Sequence, residues 1–384
     1  MSLKFFPGRW AVGAGLLAGL ALRPVRAEDS VSWKGQDYRE AGGRIAVQAQ
    51  YARWEQDLGP DLHLKFEGVV DAIAGATPNG QPPATPDGPV PLATVSERRR
   101  GWSTELARQF SRVAVAAGYA HSRESDYVSR GWSLNTLTDC NQKNTTLLLG
   151  VAGTKDDVTV RYLRTVEPKR GLDLIAGVTQ LLDPNTSVAF NLGRGRSSGY
   201  LADPYRLVEQ RTEVFPGLFL PRDYAENRPA ARRHWTADGS ARRAFPALGG
   251  ALEADYRYYR DTFGTTAHTL DLAWFQQVGA HLLLRPGVRF HTQGAADFYT
   301  VSLTGAGYTP SLRPNPAGPF YSADYRLSAL RSYHYGLKAI WTFSAAWQLD
   351  AALEQYEMRG RDGVTSPSAY PTATLTTVGL KFTW

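Results

Sequence analysis

Seven histidines, His63, His121, His234, His268, His281, His291 and His334, are the side chains best suited to ligate a metal or move a proton near neutral pH. They show no tight ligand spacing. No zinc-protease helix motif, phosphate-binding Gly loop or nucleophile elbow set between a strand and a helix accompanies them. Serines are plentiful, but no spacing singles out an acyl-transfer triad with a His and an orienting acid. The single cysteine, Cys140, excludes a c-type haem attachment pair and internal disulfides. Asp203, Glu213 and Asp324 have the oxygens a Ca²⁺ site needs, but hydrogen bonding to loop backbone is the weightier use for them. No cofactor, metal or catalytic set is therefore expected.

The chemistry that remains is ionic. Lys65, Arg161, Arg257, Arg285, Arg289, Lys338 and Lys381 recur at positions that alternate with apolar residues, as do Glu67, Asp71, Asp173, Glu253, Asp255, Asp271, Asp350 and Glu354. The two signs nearly balance. A strongly ion-selective pore would show an excess of one sign. Balanced charge on neighbouring strands predicts cross-strand pairing, with Asp271 facing the same interior as Arg285 and Arg289 and near enough for an ion pair.

These charges need strands to position them. Leu62, Leu64, Phe66, Val70, Ala72 and Ala74 share one face of a period-two segment, with His63, Lys65, Glu67 and Asp71 on the other. Residues 282–291, 333–343 and 347–354 repeat the pattern, and shorter faces occur at 172–178, 188–192, 252–258 and 270–274. The chain ends in the same way: Val378, Leu380, Phe382 and Trp384 alternate with Gly379, Lys381 and Thr383. Many apolar faces finish in Tyr, Trp or Phe, as strands do where they cross a lipid headgroup layer. An edge strand of a soluble sheet also alternates, so the two ends of the chain matter. Residues 1–27 have a basic start, a short apolar run from Trp10 to Leu22, and Val25-Arg26-Ala27 as a cleavage site. They read as a secretory signal, too short to span a bilayer. Cleavage removes Lys4, Arg9, Arg23 and Arg26 and no acid, which takes the formal charge from +7 to +3. The basic balance is then no argument for nucleic acid.

No later segment is apolar for 18 residues, so helical spans are not expected. The expected fold is all-β, a single transmembrane antiparallel up-and-down β-barrel over residues 28–384. Tight turns are expected near 57–60, 153–157, 183–186, 245–248 and 343–345. Long polar loops are expected near 76–97, 127–142, 201–231, 293–324 and 360–371. Counting from residue 43 gives fifteen strands. Adding 31–40 makes sixteen and puts both termini on the short-turn side; fourteen is the alternative count.

Several strings together resemble an uncharacterised family of bacterial proteins, a domain of unknown function expected to form outer-membrane barrels. They are Asp71 to Pro78 (DAIAGATP), Ser122 to Tyr127 (SRESDY), Asn135 to Asp139 (NTLTD), Val178 to Asn185 (VTQLLDPN), Thr212 to Gly217 (TEVFPG) and Asp324 to Ser328 (DYRLS). The likeness covers nearly all of the mature chain. It implies a small lipoprotein or a periplasmic redox protein as a partner, and names no activity.

The expected location is the outer membrane of a Gram-negative cell, with outer-membrane lipid and the barrel-assembly machinery as partners. Val378, Leu380, Phe382 and Trp384 form the expected closing-strand assembly signal. Lys65, Glu67, Asp71, Asp271, Arg285, Arg289, Lys338, Asp350 and Glu354 are the expected lumen lining. The expected function is a weakly selective channel or a sleeve for a partner protein. The alternative is an enzyme or receptor with its site on the outer loops.

Overall fold

A computed structural model describes residues 29–85, 88–305 and 310–384. The expected signal segment lies outside the described residues. Eighteen strands follow in chain order: β1 (Ser30–Glu40), β2 (Ala46–Gly59), β3 (Leu62–Pro78), β4 (Leu92–Gln109), β5 (Val113–Arg123), β6 (Tyr127–Cys140), β7 (Thr145–Val160), β8 (Thr165–Asp183) and β9 (Thr186–Gly199), then β10 (Leu207–Phe215), β11 (Leu218–Ala225), β12 (Ala231–Phe245), β13 (Gly250–Asp261), β14 (Thr266–Val278), β15 (Leu282–Gln293), β16 (Leu330–Thr342), β17 (Trp347–Gly360) and β18 (Thr372–Thr383). Sixteen of them close into an antiparallel barrel. β10 and β11 form a separate hairpin between β9 and β12. No described helix is long and apolar enough to cross a membrane.

Closure joins the ends of the described chain. β1 pairs with β18 from Ser30 opposite Thr383 to Glu40 opposite Ala373. The Trp384 amide donates to the Asp29 carbonyl at 3.0 Å. Every barrel strand then has two neighbours, so no backbone edge faces lipid. The alternation sorts the faces. Phe66, Leu172, Leu174, Phe190, Val288, Leu337 and Leu353 are exposed outward, while Asp71, Ile73 and Asn135 are buried inside.

Seven tight connections, at 60–61, 110–112, 141–144, 184–185, 246–249, 279–281 and 343–346, lie at the end that holds Asp29 and Trp384. The opposite end carries the long loops 79–91, 200–230, 294–329 and 361–371, together with four short connections. Outer-membrane barrels keep tight turns in the periplasm and long loops outside, which makes the long-loop end the outer one.

Two expected connections are strands instead. Residues 127–142, expected as a loop, are mostly β6, and 153–157, expected as a turn, lies inside β7. The polar composition misleads at both places because the inward residues there are polar, Ser129, Ser133 and Asn135 on β6 and Asp156 on β7, all buried. Asp156 faces inward and accepts from Ser129 Oγ at 2.7 Å. Gly153 is no breaker either: the Trp132 ring lies over it, and a Cβ there would stand 2.7 Å from that ring. Arg161, expected on a strand among charges that alternate with apolar residues, sits in the outer connection between β7 and β8, 3.8 Å from Glu97.

Candidate functional site

The inward face of the wall is a set of ion pairs. Arg289 Nε on β15 donates to Asp271 on β14 at 2.5 Å, directly across the register. Lys338 reaches Asp350 at 2.9 Å, and His334 lies 3.6 Å from Glu354. Lys65 is 3.4 Å from Glu67, which also faces Arg53 at 3.8 Å. Asp71 pairs with Arg99 across β3 and β4. Arg285, opposite Lys338 in the register, stacks over the Phe275 ring at 5.2 Å. Arg242 and Glu253 continue the pattern at 3.1 Å, as do Asp173 and His234 at 3.3 Å. Among the described residues, no three His, Cys, Asp or Glu gather with metal-binding geometry.

The closing strand positions its residues differently. Val378, Leu380 and Trp384 are exposed outward. Phe382 stands opposite Trp347 in the register. Its ring joins an aromatic chain running Trp341, Phe343, Trp347, Phe382 and Trp384, with centroids 4.7 to 6.5 Å apart. This row lies at the short-turn end, where rings with an apolar body suit a membrane boundary.

Above the wall, the loops 200–230 and 294–329 fold together across the outer mouth. Asn227 and Tyr321 exchange backbone hydrogen bonds of 3.0 and 2.8 Å. Val208, Tyr224, Leu303, Tyr321 and Ala323 form a small core between the two loops. Six charges lock them, three of them buried. Arg326 Nη2 meets Asp203 at 2.5 Å, and its Nε donates to Asp324 at 2.7 Å. Arg228 joins Glu226 and Asp324, both at 2.8 Å. Arg206 lies 3.8 Å from Asp203 and 4.0 Å from Asp324, over the Tyr325 ring. Arg206 and Asp324 are each 2% exposed and Glu226 is 1% exposed, so the charges have traded water for one another.

Burial alone would push the Asp324 carboxyl up. Arg326, Arg206 and Arg228 outweigh burial and hold it well below its ordinary value. Asp203 is lowered too, with Arg326 and Arg206 again overcoming burial. Glu226 goes the other way, raised by burial despite Arg228. Asp203 and Asp324, weighed above as Ca²⁺ ligands, thus serve guanidinium groups. Glu213 stands apart on the hairpin and accepts from the Gly217 amide at 2.8 Å.

The lid is fastened round the rim. Arg206, just beyond β9, donates to Thr77 Oγ1 of β3 at 3.2 Å, six strands away in the ring. The Leu207 amide donates to the Asn79 carbonyl at 2.9 Å. Gly80 makes this approach possible: at φ +100° it lies so close to the hairpin that a Cβ would fall 2.1 Å from the Leu207 carbonyl oxygen. Tyr205 bonds to Asp126 on the 124–126 connection. Tyr325 and Tyr370 meet edge to face in a core with Tyr38, Val47, Tyr356 and Leu375 of the inner wall. On the far side, Phe263 packs with Ala296 and Leu327.

Sequence reasoning missed this cluster. A trace of it exists in Asp203 with Arg206, Glu226 with Arg228, and Asp324 with Arg326, each an acid two or three residues before an arginine.

No curated protein matches the sequence. Solved structures do match the fold. A "bacterial polysaccharide outer membrane secretin" superposes with a TM-score of 0.50 at 9% identity, over 94% of this chain and 99% of that one. CdiB from Acinetobacter baumannii gives a TM-score of 0.51 at 9% identity, over 93% of this chain and 60% of that one. At such identities the likeness is one of fold: the chain has the closed antiparallel barrel of those outer-membrane proteins. The model of the family described as protein of unknown function (DUF3570) matches residues 18–169 and 161–373, nearly the whole chain, and the protein belongs to that family.

Proposed function

We propose that the protein is a weakly selective outer-membrane channel closed at its outer mouth by its own loops. One observation carries this reading: Arg206, on the loop leaving β9, is bonded to Thr77 on β3, six strands round the ring, with the buried Arg–Asp cluster behind it. A loop fastened across the mouth blocks passage until it lifts. The paired charges of the wall favour weak selectivity, because a paired lumen offers no net field of one sign.

Planar-bilayer recording tests this with the intact protein and with a variant lacking residues 207–225. The intact protein should be mostly silent, and the deletion should conduct several-fold more often or more strongly. Silence in both would sink the channel reading. Silence together with co-purification of a small lipoprotein or a periplasmic redox protein would favour the sleeve role. Silence with ligand binding or turnover at the loops would favour a receptor or enzyme.

A further inference from the structure

The outward faces of β4 to β9 carry cations at the outer end of the barrel. Arg100 of β4 faces Arg123 of β5. His121, Arg130, Lys155 and Arg170 then stand in register across β5, β6, β7 and β8. One step nearer the membrane centre, the same strands present Tyr119, Trp132, Gly153 and Leu172, with Arg196 of β9 beside Leu172. A further step inward come Leu134, Val151 and Leu174. On β6 the order is cation, aromatic ring, aliphatic chain, which is the order of a lipid from headgroup to acyl tail; β9 departs from it, with Arg194 opposite Leu174. Cations also occur at this end elsewhere in the ring, as where Arg331 of β16 faces Arg359 of β17, while β18 exposes Thr372, Thr374 and Thr376.

Residues facing each other on adjacent strands have Cβ atoms about 5 Å apart, where like charges repel. Arg130 has Asp157 at 3.2 Å. Among the described residues, Lys155, Arg170 and Arg196 have no acid within ion-pair distance. Between the heads of these four cations and the side chains of Trp132 and Leu172 lies a depression of about 560 Å³. An anion there relieves the repulsion, and guanidinium groups match phosphate oxygens with paired hydrogen bonds. Trp132 and Leu172, each 48% exposed, form an apolar floor directly below. A free inorganic ion makes no use of that floor; an acyl chain covers it.

We infer that this depression on the outer wall of β6 to β9 binds a phosphorylated glycolipid of the outer leaflet, of the lipopolysaccharide class. Its phosphates meet Arg130, Lys155, Arg170 and Arg196, and an acyl chain lies along Trp132 and Leu172. The site faces lipid, so it is independent of whether the lumen conducts.

The test reconstitutes the full protein in phosphatidylcholine vesicles containing bisphosphorylated lipid A, and reads lipid retention by native mass spectrometry after detergent exchange. The variant K155Q/R170Q/R196Q should retain at least about tenfold less lipid A, because it removes three of the four cations that meet the phosphates. Heat-modifiable gel migration checks that the variant is folded. The unaltered protein with dephosphorylated lipid A needs no variant and should show a similar loss. Equal retention by wild type and folded variant, or of the two lipids, overturns the site. Full displacement of lipid A by inorganic phosphate overturns the lipid assignment.

Discussion

Asp324 sits among three guanidinium groups with almost no water, and one substitution there separates charge from shape. Asp324→Asn keeps the volume and leaves three arginines against two acids. Removing one partner of a buried ionic group typically costs about 3–5 kcal/mol. The loss should appear as faster protease cleavage within 200–230 and more frequent opening in a bilayer, with the barrel still heat-modifiable. Acid should act in the same direction. In the closed lid Asp324 and Asp203 titrate below the ordinary 3.8, so the closed form binds fewer protons than an open one. Its stabilisation is complete above that value and drains away as the pH falls below it through the depressed values. Glu226, raised above 4.5, partly opposes this, but Asp324 has three cationic neighbours and dominates. Conductance should rise when the outer-side pH is taken below about 4, and an unchanged trace down to pH 3 would count against the gate. On the wall the faces differ. Val288→Arg, outward in the middle of β15, should cost about 2–4 kcal/mol, and Arg289→Gln should cost less while altering conductance. Folding free energies in lipid decide between them, and a costlier Arg289→Gln would mean that the faces are reversed.

The element whose failure matters most is β18. It pairs with both β1 and β17, so it closes the ring. Its last rings, Phe382 and Trp384, complete the aromatic chain with Trp347 at the periplasmic rim. Deleting 382–384 removes two interfacial anchors and the last register pairs with β1 and β17. The truncated protein should accumulate in the periplasm and be proteolysed, since an unclosed barrel presents an edge and an apolar belt. Normal amounts of heat-modifiable protein in the outer membrane would argue against this role. β6 and β7 show how element reading failed. Tyr127 to Cys140 and the Gly153–Asp157 run look like loops because their inward residues Ser129, Ser133, Asn135 and Asp156 are polar and Arg130, Lys155 and Asp157 point outward at the outer end, although Trp132 and Leu134 face lipid. A strand that leaves the membrane keeps its hydrogen-bond ladder but loses the hydrophobic alternation by which it is recognised.

At the scale of the whole molecule, Asp29 and Trp384, the first and last described residues, lie at the short-turn end and the lid at the other. In a Cys140→Ala background, cysteines introduced at Leu220 and at Leu312 should react with an impermeant maleimide on intact cells. One at Asn185, in the tight turn after β8, should react only after the outer membrane is opened. Labelling of Asn185 alone in intact cells would invert the topology.

Much of this was legible in the residues themselves. The period of two, the aromatic ends of the apolar faces and the parity of the strands determine a sixteen-stranded membrane barrel, because lipid tolerates one sorting of side chains and no open edge. That Asp271 shares the interior with Arg285 and Arg289 also follows from alternation; that it meets Arg289 is decided by the register. The lid does not. Asp203, Arg206, Glu226, Arg228, Asp324 and Arg326 come from two loops about a hundred residues apart, and loops carry no periodicity to announce their neighbours. Only the closed ring brings both loops to one mouth, and there burial makes each charge depend on the others. The lipid-facing cations are similar: Arg130, Lys155, Arg170 and Arg196 read singly as scattered rim charges, and the strand register alone aligns them into one patch.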